Sequence, residues 1–414
     1  MATFFFAWEL GGGLGHVLPF RPVAQALIAK GHRVVAALRD QTHAVRAFGD
    51  LPIRCLPAPH KSWRTDDRIE PLLTFAHILH NTGWSRVDDL KKLTAAWRTV
   101  LDDVRPDVVI CDHSPTMLLA LRGRGIKHAT FGTGFFCPPD RTPLPNLSLF
   151  VNGNPIKLRR DESHVFQVAN EVLCASGQPT LLHLTQLYAE ADDRVLTTFA
   201  ELDHYPERKP GRYSGWWPTG AGRPFDWPAG HGPKVYAYLK DFPALIDVVK
   251  FLREQAWPTV IFAPGLLDKL RPFASASLAL TDVPLDLQQV ASEADLAIQN
   301  ANHGTLAELL LAGKPVLSIP ITLEQAILAR RVAELGAGMT AWGNYAADVV
   351  RTITVMLDSD RYEIAARRFA ERYAGFDPKK ALAGVVERIE RLVRFELGSD
   401  EAGLTRPAIH EFTG

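Results

Sequence analysis

One stretch, residues 281–338, limits what this chain can fold into more than any other. Residues 294–298 form a short apolar strand run, followed by the small polar turn Asn300-Ala301-Asn302-His303-Gly304-Thr305. The spacing predicts a helix over 305–312, stopped by Gly313 with Pro315 just beyond. Glycine accepts the left-handed C-terminal position, and proline cannot continue a helix. Residues 316–319 read as a second strand, and Thr322 opens a second helix that ends at Gly336. Strand, turn, helix, strand, helix is half of a nucleotide-binding α/β layer. Its turn aims backbone N–H groups and a helix N-terminus at one point, which suits a phosphate.

At 414 residues the chain is longer than one typical domain, so two are expected, each with its own core. An apolar content of 47% and a charged content of 22% are those of an ordinary globular protein. Its 46 Lys and Arg balance 46 Asp and Glu, so charge makes no case for nucleic acid or an anionic membrane. Cys55, Cys111, Cys137 and Cys174 lie far apart, with neither a CxxC pair nor zinc spacing. Reduced thiols and a cytoplasmic location are expected. No apolar run approaches the roughly 20 residues of a membrane span. Phe4-Phe5-Phe6-Ala7-Trp8 carries no basic leader or cleavage site and reads as a core strand, not a signal peptide.

That strand, over 3–8, runs into Gly11-Gly12-Gly13-Leu14-Gly15-His16, then a helix ending at Gly31 and a β-branched strand over 33–38. This is a βαβ unit with a glycine turn at the C-terminal edge of its sheet. A dinucleotide dehydrogenase is the rival reading, but Gly11-x-Gly13-x-x-His16 lacks the third glycine of that fingerprint. His16 is placed to act as a base or to cap its helix. Beside a helix N-terminus its imidazole is expected to stay neutral. Residues 106–112 form another buried strand, ending in Asp112 at the same edge. That carboxylate is either a partner for His16 or a cap for the next helix.

His77 and His80, three residues apart, are expected on a helix surface. Residues 132–155 are irregular, and Phe135, Phe136, Leu147, Phe150 and Val151 there either form an apolar wall or pack the loop itself. A linker rich in Pro, Gly and Trp follows over 201–233. Lys240 then closes the first strand of the second half, as a phosphate-facing charge or a solvated loop residue. An amphipathic helix over 378–397 ends the regular structure, and the tail from Gly398 is expected to be loosely held.

Asn300 through Glu308, with Ala312-Gly313-Lys314-Pro315-Val316, Pro320 and Glu324-Gln325, resembles the donor-site signature of a glycosyltransferase family. This is the GT-B group that contains the macrolide, antibiotic and UDP-glucuronosyl transferases. Gly15-His16-Val17-Leu18-Pro19 resembles the N-terminal motif of the same group. The resemblance spans nearly the whole chain and is strongest over 11–38, 104–134 and 281–338. It implies an α/β chain of two Rossmann-like domains facing across a cleft. Residues 1–208 would bind the acceptor, 209–375 the nucleotide sugar, and 376–414 would cross back to the first domain and end in a tail.

The resemblance further implies inverting transfer from a UDP- or dTDP-sugar to a hydroxyl of a small-molecule acceptor. His16 would be the base, oriented by Asp112, with Phe135, Phe136 and Phe150 as the acceptor wall. Asn300, Asn302, His303, Gly304 and Thr305 would surround the donor pyrophosphate, and Lys240 and Val283 would also contact the donor. Glu308 would hold the ribose, and Glu324 and Gln325 the sugar hydroxyls. No metal, cofactor, nucleic acid or stable membrane insertion is implied. Thr305-x-x-Glu308 and Thr322-x-x-Gln325 also fit capping boxes that merely start helices. Asn300 stands where the family has a histidine, and Asn302 where it has a glycine. Lys240 is then expected to supply the charge that Asn300 lacks. Two other functions fit the same fold: a nucleotide-sugar epimerase, and a sugar-nucleotide-binding protein without catalysis.

Overall fold

The computed structural model describes residues 1–61, 66–148, 150–208, 211–220 and 222–394. Six strands form the first sheet: β1 (Thr3–Trp8), β2 (Arg33–Leu38), β3 (Arg54–Pro57), β4 (Val108–Asp112), β5 (Lys127–Gly132) and β6 (Asp193–Leu196). They run parallel in the order β3-β2-β1-β4-β5-β6. Phe4, Phe5, Phe6 and Ala7 are all buried. Helices cover both faces of a parallel sheet, so neither face has use for polar residues. Alternation along β1 then sorts its side chains into two cores. Phe4 and Phe6 pack with Val34, Val108 and Phe131, whereas Phe5 and Ala7 pack with Val35, Val109 and Trp97.

The second sheet comprises β7 (Val235–Tyr238), β8 (Thr259–Phe262), β9 (Leu278–Thr281), β10 (Leu296–Gln299), β11 (Val316–Ser318) and β12 (Gly338–Thr340). It is also parallel, ordered β12-β11-β10-β7-β8-β9, which is the winding of the first sheet seen from the other edge. The two expected Rossmann-like halves are therefore present. Winding reverses once in each, between β1 and β4 and between β7 and β10. Ligands of open α/β sheets bind in the crevice beyond the strand ends at such a reversal.

The passage between halves runs through the region around 208 and is tied to the first half on both sides of it. Arg208 Nε and Tyr213 Oη donate to Asp203 at 2.5 and 2.8 Å, and Tyr213 bridges to Leu196 of β6. Attachment to the first half therefore continues beyond 208. The chain crosses at a Trp-Trp pair. Trp217 lies in the first half's core and donates to the Pro19 carbonyl at 2.9 Å, while Trp216 lies in the second half's core.

The helix Pro378–Arg394 returns to the first half, burying Val385, Val386 and Ile389 beside Leu27 and Phe48. A two-bond pair of Arg388 with Asp193 fixes its angle. The expected tail lies outside the described residues. His77 departs from expectation: it is buried, accepts from the Leu73 N–H at 3.1 Å and pairs with Asp161 at 3.1 Å. The helix Pro155–Ala175, which supplies Asp161, covers the face that the sequence left to solvent. Among the described residues no helix is long and apolar enough to cross a membrane.

Candidate active site

The first winding reversal assembles the candidate base. After β1 the glycine run turns, and His16 falls in a single helical turn, Leu14–His16. Register sets Trp8 beside Asp112, the last residue of β4. His16 Nδ1 and Asp112 Oδ1 are 2.7 Å apart, and both residues are buried. Trp8 stacks on the imidazole at 5.3 Å with 20° between planes, and Phe136 lies 4.5 Å away on a tilted approach. A carboxylate on Nδ1 fixes the tautomer and leaves Nε2 for a substrate.

Gly11 passes Nε2 so closely, at φ 84°, that a Cβ there would overlap the ring. Only glycine combines that backbone with that approach. Burial pulls the His16 pKa down, but the charge and hydrogen bond of Asp112, helped by Glu324, raise it overall above 6.5. The shift thus runs opposite to the one expected from a helix N-terminus. A carboxylate in hydrogen-bond contact outweighs a helix end.

The second reversal assembles the candidate donor turn. Asn300, just beyond β10, is buried between its neighbours. Its Oδ1 accepts from the Lys240 N–H at 2.7 Å, and its Nδ2 donates to the Ile319 carbonyl at 2.7 Å. The amide thus stitches together the ends of β7, β10 and β11. That occupation differs from the free phosphate donor expected of it. Lys240 itself is exposed, and its charge lowers the pKa of Glu324.

The helix begins at His303, two residues before the expected start, with Asn302 as its N-cap. Thr305 is therefore already inside it, and the Thr305–Glu308 capping box does not form. Glu308 Oε1 instead accepts from Trp216 Nε1 at 3.2 Å. The Trp216 ring lies so close over Gly304 that a Cβ there would overlap it. His303 Nε2 reaches Thr198 Oγ1 of the first half at 2.7 Å, and burial pushes its pKa down to about 3. It is therefore neutral at physiological pH. His303 Nδ1 and the side-chain nitrogens of Asn302 and Gln299 are buried without partners around this turn.

Thr322 does cap the next helix, accepting from the Gln325 N–H at 3.3 Å. Gln325 reciprocates one residue early, accepting from the Ile321 N–H at 3.0 Å, and its amide donates to Asn302 Oδ1 at 3.3 Å. Glu324, on the same turn, is raised by burial to about 7, partly offset by His16. That coupling links Glu324 of the second half to the candidate base of the first. Val283 lines a cavity of about 190 Å³ with Arg223, Phe225 and Thr281.

The expected three-ring wall divides. Phe135 and Phe136 are buried around His113, with Phe136 also against His16, whereas Phe150 is 73% exposed and lies 5.0 Å from Trp342, beside a cavity of about 520 Å³. Sequence reasoning missed three residues here. Glu9 ends up buried beyond β1, accepting from the Thr116 N–H at 2.8 Å. Burial chiefly raises its pKa to about 8, so it is protonated at neutral pH. His113 follows Asp112 directly, and adjacency to that strand end was its available signal. Trp216 had only the unusual Trp-Trp dipeptide to mark it. Among the described residues no three His, Cys, Asp or Glu side chains are grouped to hold a metal.

This architecture of two parallel six-stranded sheets, each reversing its winding once, is that of the GT-B glycosyltransferases. Calicheamicin glycosyltransferase CalG4 superposes with a TM-score of 0.69 at 18% identity, covering 94% of this chain and 98% of that one. Spinosyn rhamnosyltransferase SpnG, complexed with spinosyn aglycone, gives 0.65 at 16% identity, covering 94% and 100%. Glycosyltransferase VinC, in complex with dTDP, gives 0.63 at 16% identity and the same coverage.

Sequence relatives agree. A PGL/p-HBAD biosynthesis glycosyltransferase of Mycobacterium tuberculosis is 25% identical over 372 residues, 82% of each chain. The 4'-demethylrebeccamycin synthase of Lentzea aerocolonigenes is 23% identical, over 92% of this chain and 97% of that one. No protein-family model matches. The chain has the GT-B fold of these glycosyltransferases.

Proposed function

We propose that the chain moves a sugar from a UDP- or dTDP-sugar to a hydroxyl of a small-molecule acceptor, with inversion at the anomeric carbon. The observation that carries this reading is the buried His16–Asp112 pair at 2.7 Å, opposite Glu324 of the other half. An acceptor hydroxyl is a poor nucleophile until its proton is removed. His16 Nε2 takes that proton as the hydroxyl oxygen bonds to the anomeric carbon and the bond to the nucleoside diphosphate breaks. Asp112 stabilises the imidazolium formed. One displacement from the face opposite the leaving group inverts the centre.

Charge grows on the departing diphosphate beside the N-terminus of the helix His303–Leu311. Asn302 Nδ2 is a donor without an acceptor there, and the helix end adds its own N–H groups. In this scheme Lys240 adds a phosphate-side charge, and neither a metal nor a cofactor takes part. The dTDP on VinC and the aglycone on SpnG support a nucleotide-sugar donor and an aglycone acceptor for this chain too. Incubation with labelled UDP-glucose and dTDP-glucose, with and without an acceptor mixture, tests the reading. Label must move only when an acceptor is present; epimerised donor without acceptor would support the epimerase instead.

Glu308 keeps one carboxylate oxygen on Trp216 and leaves the other for the ribose. Glu308→Ala is expected to weaken nucleoside diphosphate binding by about 1–3 kcal/mol in calorimetry. Unchanged affinity in a folded variant would reduce Glu308 to a partner of Trp216.

The pH profile offers a separate check. Only neutral His16 is a base, and its pKa is raised above 6.5. Log kcat/KM should therefore fall with decreasing pH through that raised value. Asp112→Asn removes the largest upward influence, so its acid limb should move to lower pH while the plateau drops. Profiles measured over roughly pH 5–9 decide. A limb that does not move in the variant contradicts the pairing.

A further inference from the structure

His113 sits at φ 42°, a left-handed conformation that costs a non-glycine residue of its kind on the order of 1 kcal/mol or more. Its carbonyl, bonded to the Leu10 N–H at 3.0 Å, holds the backbone in that state. The result is a ring turned inward, only 6% exposed, among His16 at 5.9 Å, Phe136 at 4.6 Å, Phe75 at 6.0 Å and Phe135 at 6.5 Å between centroids. Neither of its nitrogens has a partner. Buried polar groups are nearly always hydrogen-bonded, and leaving one unpaired costs about 1–3 kcal/mol. No packing demand explains the choice, because a phenylalanine would suit four aromatic neighbours better.

Two independent costs at one residue, strain and an orphaned ring, mark a group waiting for a ligand. Phe136 touches both His16 and His113, so whatever lies against that ring is within reach of both imidazoles. Burial, with the nearby His16 and Arg39 acting the same way, holds the His113 pKa well below 6.5. It is thus a neutral ring that donates from one nitrogen and accepts at the other. It makes a poor alternative base, because so weakly basic a ring gains little from a hydroxyl proton.

We infer that His113 is an acceptor-binding residue: it hydrogen-bonds a second polar group of the acceptor while His16 takes the hydroxyl to be glycosylated. The acceptor class that fits these ring walls is a flat, aromatic compound bearing a second polar group besides the hydroxyl to be glycosylated. The inference rests on the acceptor-side reading of this pocket given above.

Hydroquinone and phenol form the test pair, since they share a ring and differ by one hydroxyl. Each is titrated against the full chain saturated with UDP, under argon, by ligand-observed NMR. The wild type is expected to bind hydroquinone at least about tenfold more tightly than phenol. His113→Phe should collapse that ratio to about one, and His113→Asn, which tolerates the left-handed backbone and keeps a donor and an acceptor, should retain part of it. Thermal melting and UDP affinity confirm that each variant is folded, and the asparagine variant decides alone if the phenylalanine variant is not. A wild-type ratio near one, or a ratio unchanged by substitution at His113, overturns the inference. Transfer from dTDP-glucose to hydroquinone is scored separately. Its absence alongside a His113-dependent ratio would count against the proposed reaction and not against this site.

Discussion

His16→Ala should lower kcat by about 10²–10⁴-fold and leave nucleoside diphosphate affinity nearly unchanged. The imidazole belongs to the first sheet, and the candidate nucleotide contacts belong to the second, so chemistry and donor binding are separable. The substitution also strands Asp112, which is 2% exposed and has His16 as its charged partner. A buried carboxylate without its counter-charge is costly, so some loss of melting temperature is expected as well. For that reason the comparison needs His16→Gln, whose amide can still donate to Asp112 but cannot accept a proton. If both variants lose turnover while only the alanine variant loses stability, the loss is chemical. Near-normal turnover in a folded His16→Gln protein would remove His16 as the base.

Much of this site was legible because it depends on strand ends. A strand that alternates between two buried cores, as β1 does, must be apolar throughout, and its first polar residues must fall at the sheet edge. That logic placed His16 and Asp112 on one edge before any geometry was known. It placed Asn300 on the matching edge of the second sheet too, but position did not reveal what its amide would do. The bonds to Lys240 and Ile319 depend on how β7 and β11 flank β10, and strand order is a long-range property.

The Thr305 capping box failed for a related reason. Local pattern allowed a start at either residue, and the helix started at His303, bonded across to Thr198 more than a hundred residues away. The direction of the His16 shift was misjudged, with a helix end weighed above a carboxylate in direct contact. Glu9, His113 and Trp216 belong to none of the patterns read in sequence. Their surroundings come from distant segments, and a lone buried polar residue gives no periodic signal.

Gly11 shows how much a position can matter without presenting any side chain. In the sequence it was one of several glycines in a turn; in the fold its Cα faces the free nitrogen of the candidate base. Gly11→Ala should therefore reduce kcat by about a hundredfold, by one of two routes that end alike. Either the methyl group occupies the approach to Nε2, or the ring yields and breaks its 2.7 Å bond to Asp112. Alanine at φ 84° adds backbone strain on the order of 1 kcal/mol, too little by itself to unfold a domain of this size. A double-mutant cycle separates this mechanism from general damage. If Gly11→Ala acts through the imidazole, it has nothing left to act on once the imidazole is gone. Gly11→Ala combined with His16→Ala should then turn over no more slowly than His16→Ala alone. Losses that multiply in the double variant, or wild-type kcat in Gly11→Ala, would show that the close approach of Gly11 to His16 has no part in the chemistry.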